Sequence, residues 1–148
     1  MSKTLEGKVA VVTGASRGLG RAMAVAFAKN GAKIALLGRD AEKLAETAAL
    51  CSAAGSEGVP FLADVTVEAD ITAVEKAVMA KFGRVDILVN NAGINIRKNI
   101  DEFTLAEWNS VIGSNLTSAF LLCRAFVPHM KGKGWGRIIN MTSIMSHV

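Results

Sequence analysis

The sequence has no tyrosine among its 148 residues, and it has only two cysteines and two histidines. Without tyrosine, no phenolic hydroxyl is available in these residues as a general acid or base. Both cysteines, Cys51 and Cys123, fall within apolar patterns of helical spacing. We expect them to be reduced core residues of an intracellular protein, and we expect no metal site.

Long runs of one charge and long apolar runs are also missing. The net charge is +4 and the pI about 9.3, yet the densest basic block is Arg97-Lys98. A balance this small, without a basic stripe, argues against nucleic-acid binding. The first apolar run, residues 9–12, is too short for a signal peptide, and no run approaches the ~18 residues of a membrane span. We therefore predict a cytoplasmic protein that binds neither nucleic acid nor membranes.

What the sequence does contain is a regular alternation of short apolar runs and amphipathic stretches. Hydrophobic residues make up 51% and charged residues 20%, which excludes a disordered chain, and the length predicts one domain. The apolar runs predict strands over residues 9–12, 34–37, 59–62, 85–89 and 137–141. The stretches between them predict helices, including a long one that Asn115 opens and Pro128 ends or kinks. Such alternation predicts an α/β fold, a Rossmann-like doubly wound parallel sheet with strand order 3-2-1-4-5 and helices on both faces.

Three glycines lie between the first predicted strand and the first predicted helix, where residues 13–20 are T-G-A-S-R-G-L-G. Gly14 would allow a tight turn, Gly18 a close approach of the backbone to a pyrophosphate, and Gly20 close packing of the helix on the sheet. The strict G-x-G-x-x-G spacing fails, since position 23 is methionine, and such turns also occur for packing alone. No Gly-Lys-Ser/Thr follows, which argues against a P-loop.

Four further motifs follow the glycine loop along the chain. They are Asp64-Val65 after the third strand, residues 90–93 (N-N-A-G) at the end of the fourth, Asn115 in the long helix, and residues 136–143 (G-R-I-I-N-M-T-S) along the fifth. Together with T-G-x-x-x-G-x-G, they resemble the N-terminal part of the short-chain dehydrogenase/reductase family, and its gluconate 5-dehydrogenase-like branch in particular. The resemblance implies that the following residues bind a dinucleotide: Gly14, Ser16, Arg17, Gly18, Leu19, Gly20, Arg39, Asp64, Val65, Asn91, Ala92 and Gly93.

The end of the second predicted strand bears on which cofactor is preferred. An NAD-binding fold usually carries Asp or Glu there, and that carboxylate accepts from the ribose 2′-OH. This sequence has Gly38 followed by Arg39, and Arg17 lies in the glycine loop. Two guanidinium groups can bind a 2′-phosphate, so we predict NADP(H) as the preferred cofactor and NAD(H) as the alternative. Either arginine could instead be a solvated surface group, and Asp40 could cap its helix or crowd the phosphate.

The resemblance also implies catalytic residues. Ser143 corresponds to the serine that binds the substrate oxygen, and Asn115 to the asparagine of a proton relay. Thr142 or Ser146 could take the place of Ser143, and Asn115 could simply cap its helix. The sequence therefore predicts a substrate site at the end of the fifth strand, beside the long helix.

The acid–base pair of the family is not found in this sequence. In the family, a tyrosine past the serine donates or removes the proton, and a lysine four residues later lowers its pKa. Here only five residues follow Ser143. We expect His129 to have a surface or core role, and His147 lies on a tail that is a poor place for a substitute acid. Two hypotheses remain: the N-terminal part of a complete reductase, or a short dinucleotide-binding module without catalysis. We favour the first, because the fifth strand would otherwise be a bare edge.

The substrate prediction depends on Arg97, four residues past Gly93. By resemblance to the gluconate branch it would bind a carboxylate bidentately, and the alternative is a solvated loop arginine. We predict an NADP(H)-dependent oxidoreductase that transfers hydride between nicotinamide and a carbonyl or alcohol substrate, such as a sugar acid. Residues 1–148 would form its NAD(P)-binding domain without the catalytic helix and last strands. The resemblance further implies a dimer or tetramer at full length.

Overall fold

Five parallel strands form one sheet at the centre of the computed structural model, which describes residues 3–143. The strands are β1 (Val9–Thr13), β2 (Lys33–Gly38), β3 (Gly58–Leu62), β4 (Ile87–Asn90) and β5 (Arg137–Asn140). Their order in the sheet is β3-β2-β1-β4-β5, which confirms the predicted order. In the register, Val11 of β1 lies opposite Ala35 of β2 and Leu88 of β4.

Helices cover both faces of the sheet, as predicted. They are α1 (Gly18–Lys29), α2 (Ala41–Ala53), α3 (Glu68–Phe82), α4 (Leu105–Ile112) and α5 (Ser118–Phe126). Successive residues of β1 point to opposite faces, so Ala10 and Val12 pack in one core with residues of α1 and α2. Val11 packs in the other core with residues of α3 and α5. Every position of β1 is therefore buried, which explains why its first four residues form an unbroken apolar run.

Three helix ends carry residues that favour helix termini, and one of them, Asp40, was predicted as a possible cap. The Asp40 carboxylate caps α2 by accepting from the backbone N–H of Lys43 at 3.1 Å, so the capping alternative for this residue is confirmed. Asn30 follows the last residue of α1. Gly83 follows α3 with φ +69°, a left-handed conformation in which glycine is favoured.

Two strands are shorter than their apolar runs predict. β4 begins at Ile87 rather than at residue 85, and β5 ends at Asn140 rather than at residue 141. The Asp86 N–H still donates to Val9 O at 2.9 Å, and the Arg137 N–H donates to Asp86 O at 2.9 Å. Sheet hydrogen bonding thus begins one residue before β4, and the Met141 N–H, which donates to Asn90 O at 3.0 Å, extends it one residue beyond β5.

The prediction that Asn115 opens a separate long helix is wrong. A capping box of Thr104 and Glu107 starts α4, and the chain stays helical through a π turn over residues 113–117 into α5. Asn115 lies inside that π turn and caps nothing. A π turn adds one residue to a helical turn, and apolar spacing alone does not reveal it. Pro128 lies in a 3-10 turn directly after α5, so its predicted role at the helix end is confirmed.

The helical residues 105–129 are long and apolar enough to cross a membrane by length and composition. Polar residues such as Asn109 and Asn115 interrupt this segment, so it contains no continuous apolar run of the length that a membrane span needs. Leu121, Leu122 and Phe126 of this segment lie in the core beside α3 and β4, while Leu116 and Phe120 are exposed. Burial along one side is typical of a helix that packs on a sheet.

Both cysteines are free thiols, but only one is a full core residue. Cys51 of α2 is completely buried, and burial raises the pKa of its thiol. Cys123 of α5 is half-buried and packs at the margin of the core. The predicted core position is confirmed for Cys51 and holds only partly for Cys123.

Candidate cofactor and substrate site

Two adjoining clefts open where the carboxyl ends of the strands meet. The first has a volume of about 570 Å³ and lies between the glycine loop and the ends of β2, β3 and β4. The second, of about 1200 Å³, lies between the segment after β4, the π turn and the end of β5. Residues 91–94 and Leu19 line both clefts. Predicted cofactor residues that line the first cleft are Gly14, Ser16, Arg17, Gly18, Leu19, Arg39, Asp64, Val65, Asn91, Ala92 and Gly93.

Gly20 is the one predicted cofactor residue that lines neither cleft. It is buried against the glycine loop, where an added Cβ would lie 2.2 Å from Gly14 O. This contact accounts for glycine at position 20 and agrees with its predicted packing role. Gly14 and Gly18 have φ values of +63° and +55°, so the loop uses the left-handed region twice.

Thr13 joins the glycine loop to the segment after β4. Its fully buried hydroxyl accepts from the backbone N–H groups of Asn91 and Ala92, both at 2.9 Å, and donates to Val89 O at 3.1 Å. The Asn91 side chain donates in return to Thr13 O at 3.0 Å. This role of Thr13 was not predicted, although a hydroxyl residue at the last position of an apolar strand is a signal for it.

The end of β2 brings charged groups of both signs to the first cleft. Arg39 Nη1 lies 3.6 Å from Asp64 Oδ2, and Lys43 Nζ lies 3.0 Å from Asp40 Oδ2. Hydrogen bonds from the Lys43 backbone and side chain lower the pKa of Asp40, which keeps that carboxylate ionised. Arg17 and Arg39 are both exposed. Lys43, which lines the cleft from the first turn of α2, was not predicted from the sequence.

Gly38 has no side chain, and the Ser16 side chain occupies the space where one would lie. A Cβ at position 38 would lie 2.6 Å from Ser16 Oγ. Position 38 is where an NAD-binding fold usually carries an acidic residue. Ser16 therefore fills space that the side chain of such an acid would need.

Asp64 is held in place from two sides. Its carboxylate accepts from the Thr66 hydroxyl at 2.6 Å and the Thr66 N–H at 2.9 Å, and these bonds lower the pKa of Asp64. The Asp64 N–H donates to Asp70 Oδ2 of α3 at 2.9 Å. The side chain after β3 thus stays ionised in a fixed orientation beside Arg39.

In the second cleft, Asn115 bonds the segment after β4. Its side-chain amide accepts from the Ile94 N–H at 2.8 Å and donates to Ile94 O at 2.9 Å. Gly93 lies against the same amide, where an added Cβ would be 2.9 Å from Asn115 Oδ1. Ser143 and Thr142 line this cleft with Asn115. The alternative candidates Ser146 and His147 lie outside the described residues.

Arg97 and Lys98 also line the second cleft, but they differ in their contacts. Lys98 Nζ lies 2.6 Å from Glu107 Oε1 of α4. That bond, together with the bond from the Thr104 N–H, lowers the pKa of Glu107 to about 2. Arg97 is exposed on the same segment. Lys98 is thus fixed to α4, whereas Arg97 lies at the cleft surface.

Asn90 places an amide oxygen in the wall of the second cleft. Its Nδ2 donates to Asn140 Oδ1 of β5 at 2.8 Å and to Cys123 Sγ at 3.6 Å. Its Oδ1 has no hydrogen-bond partner among the described residues. A buried oxygen of this kind can accept from a bound water or ligand.

His129 lies away from both clefts. Its Nε2 is 2.5 Å from Glu75 Oε1, in a groove between α3 and α5. The location agrees with the surface or core role that we expected. Among residues 3–143, no group of three or more His, Cys, Asp or Glu side chains could hold a metal ion.

The family model described as short chain dehydrogenase matches residues 8–148. The chain belongs to the short-chain dehydrogenase family. D-threitol dehydrogenase of Mycolicibacterium smegmatis is 42% identical over 139 residues, which cover 94% of this chain and 54% of that protein. Gluconate 5-dehydrogenase of Gluconobacter oxydans is 35% identical over 145 residues, which cover 98% of this chain and 57% of that protein.

A solved structure of this family also matches closely. It is a metagenomic short-chain oxidoreductase in complex with NADP, with a TM-score of 0.91 and 42% identity. The match covers 95% of this chain and 64% of that one. The resemblance noted from the sequence motifs is therefore confirmed, and the chain spans little more than half the length of the two curated relatives.

Proposed function

We propose that this short-chain dehydrogenase chain supplies the cofactor site and part of the substrate site of an NADP(H)-dependent oxidoreductase. The observation that carries the proposal is that two clefts share residues 91–94, one lined by the glycine loop and the other by Ser143 and Asn115. A dinucleotide lying across that shared wall would place its two halves in different clefts. Its nicotinamide would accept or donate a hydride at the substrate carbon.

The described residues fit the adenosine half of such a cofactor. α1 begins at Gly18 without a side-chain cap from Arg17 and without an acidic residue in its first turn. Its first N–H groups and the positive end of its dipole thus favour a pyrophosphate. Gly18 has nothing within 4 Å of an added Cβ, so the backbone there is open to close approach. Asp64 and Val65 line the far end of the same cleft, where adenine would lie.

We propose NADP(H) as the preferred cofactor on the basis of charge at the end of β2. Arg17 and Arg39 are exposed beside the cleft, and Ser16 fills the space of a competing acid. The NADP bound to the metagenomic relative is consistent with this preference. Asp40 does not oppose it strongly, since Lys43 lies 3.0 Å from that carboxylate.

In the second cleft, we propose that Ser143 donates a hydrogen bond to the substrate oxygen, and that Asn115 belongs to the proton path. The sequence holds no tyrosine, so the proton donor for a carbonyl substrate would come from outside these residues. Arg97 would bind a substrate carboxylate, as in a sugar acid. The curated relatives are named for threitol and gluconate, so a polyol is the competing substrate class. We propose a cytoplasmic enzyme that assembles as a dimer or tetramer.

A titration of the chain with NADPH and NADH, followed by nucleotide fluorescence, tests this proposal. We expect NADPH to bind about tenfold more tightly, and Arg39→Ala to remove most of that difference. Lys76→Met, an exposed change on α3, is the control and should leave both affinities unchanged. Absence of binding by either nucleotide would overturn the proposal. Equal binding would overturn the cofactor preference alone.

A second candidate function is dinucleotide binding without catalysis. The absence of tyrosine favours it for the chain as given. An assay of NADPH oxidation with gluconate-derived and simple ketones tests the second candidate. Turnover by the 148-residue chain would exclude it, whereas binding without turnover agrees with both candidates, because the first also takes its proton donor from outside these residues.

A further inference from the structure

Arg21 joins three parts of the molecule on the outer side of the first cleft. Its Nη2 donates to Ser16 O in the glycine loop at 2.7 Å, to Glu46 Oε2 at 2.8 Å and to Lys43 O at 3.3 Å. Its Nε donates to Thr47 Oγ1 at 3.0 Å. The side chain is 27% exposed, so most of the guanidinium surface is in contact with protein. A planar group with five donors is suited to several acceptors at once.

Thr47 completes this network from inside the protein. Its side chain is fully buried, and its hydroxyl lies 2.9 Å from Ala15 O and 3.0 Å from Lys43 O. Two neighbouring carbonyls of the glycine loop, Ala15 and Ser16, are therefore bonded by α1 and α2 side chains. The loop cannot move relative to the first turn of α2 without breaking these bonds.

The connected elements carry the polar and cationic groups at the β2 end of the first cleft. Ser16 and Arg17 belong to the loop, and Lys43 belongs to the first turn of α2. Arg21 itself does not line the cleft, so it acts on a ligand only through these residues. The attraction between a cation and a phosphate weakens as the distance between them grows. The positions of Arg17 and Lys43 therefore set how much each contributes to phosphate binding.

We propose that Arg21 and Thr47 are positioning residues that hold Ser16, Arg17 and Lys43 as one subsite for a phosphate monoester on the ribose. Lys43 is then a further cation of this subsite beside Arg17 and Arg39. The inference rests on the proposed function, in which this cleft takes the adenosine half of NADP(H). It predicts that discrimination for the phosphate depends on a residue that touches no part of the cofactor.

Calorimetric titration of the chain with adenosine 2′,5′-bisphosphate and with 5′-AMP tests the subsite, since the two probes differ only in the 2′-phosphate. We expect the unmodified chain to prefer the bisphosphate. Lys43→Met should weaken bisphosphate binding about fivefold to tenfold and leave 5′-AMP binding within twofold. Lys76→Met on α3 removes an exposed lysine elsewhere and should change neither affinity.

Matched substitutions at the network test positioning. Thr47→Val removes the hydroxyl at nearly constant volume and should lower the ratio of the two affinities about tenfold, whereas Thr47→Ser should keep it. Arg21→Lys keeps the charge but cannot span the same acceptors, so it should lower the ratio as Thr47→Val does. A loss of stability alone would weaken both probes equally, and circular dichroism melts follow that loss separately.

The outcomes distinguish the inference from the proposed function. An unchanged affinity ratio in Thr47→Val and Arg21→Lys would overturn the positioning role and leave the cofactor site intact. An unchanged ratio in Lys43→Met would remove Lys43 from the subsite. Failure of the unmodified chain to bind either probe would overturn the proposed function, and the inference with it.

Discussion

At the scale of single residues, Asp86 is the buried charge on which the sheet depends. Its Oδ2 accepts from the Val9 N–H at 2.9 Å and from Arg84 Nε at 2.8 Å, and its Oδ1 accepts from Arg84 Nη2 at 2.7 Å. Burial opposes ionisation, but the bonds from Arg84 and Val9 outweigh it and hold the pKa of Asp86 below its usual value. The carboxylate thus links the first residue of β1 to the start of β4.

Asp86→Asn should therefore destabilise the protein by about 2 kcal/mol at pH 7, because a charge-assisted bond to a buried group is lost. A folded-state pKa below the unfolded value stabilises the fold above the unfolded pKa of about 4, and this contribution disappears as the pH falls further. The difference between the two proteins should shrink accordingly in urea unfolding at pH 7, 5 and 3. The exposed Asp101→Asn should change stability by less than about 0.5 kcal/mol at all three values. A constant difference at every pH would contradict this account.

Sequence patterns predicted the glycines of the glycine loop. They did not predict the side chains that hold this loop in place. Gly14 and Gly20 were predictable because a strand-to-helix turn around phosphate has a characteristic spacing. Thr13, Arg21 and Thr47 were missed because each acts through carbonyl or N–H groups, and their partners lie up to 79 positions away. Most of these contacts form only once distant parts of the chain lie side by side, so the spacing within the motifs did not reveal the partners.

At the scale of elements, the π turn between α4 and α5 is the feature that periodicity mispredicted. Asn115 seemed a helix cap by residue type, yet its amide bonds the backbone of Ile94. Residue type accounts for the start of α2 at Asp40 and for the end of α3 at Gly83, because each residue acts within one turn of its own helix. It failed at Asn115 because the partner there belongs to another element.

Asn115→Ala should release the segment after β4 from the π turn. Loss of both amide bonds to Ile94 should cost about 1–2 kcal/mol and loosen the backbone around the exposed Arg97 and Lys98, so that the segment fits the trypsin active site more often. We expect cleavage there to accelerate about tenfold in timed digests read by mass spectrometry. Asn109→Ala, an exposed change on α4, is the matched control. Equal cleavage rates in both variants would show that the amide does not hold the segment.

At the scale of the whole molecule, the strand order followed from the sequence because few topologies suit alternating strands and helices. Which apolar side chains are exposed was less completely predicted from the sequence than the strand order was. β5 lies at one edge of the sheet with Ile138 44% exposed and Ile139 36% exposed. Leu116 and Phe120 are also exposed, although the same helical segment buries Leu121 and Phe126. An open edge beside exposed apolar side chains favours pairing with another chain.

The 148-residue chain should therefore self-associate in sedimentation velocity at micromolar concentrations. Ile138→Lys places a charge on the open edge and should shift the population toward monomer. Leu50→Lys removes an apolar side chain of the same 44% exposure from α2, and we expect it to leave association unchanged. A clean monomer for the unmodified chain, with cooperative melting, would contradict the prediction.

The Ser16 side chain occupies the space that a Cβ at position 38 would need. This packing limits which substitutions the protein can accept. If an acidic residue replaces Gly38 while Ser16 is present, its Cβ lies 2.6 Å from the Ser16 hydroxyl oxygen. If glycine replaces Ser16 first, that space is open before the acid arrives. The two substitutions are therefore epistatic, and their order decides whether the intermediate ancestor is strained. Exchange of Ser16 for glycine before Gly38→Glu is therefore the order that avoids this close contact.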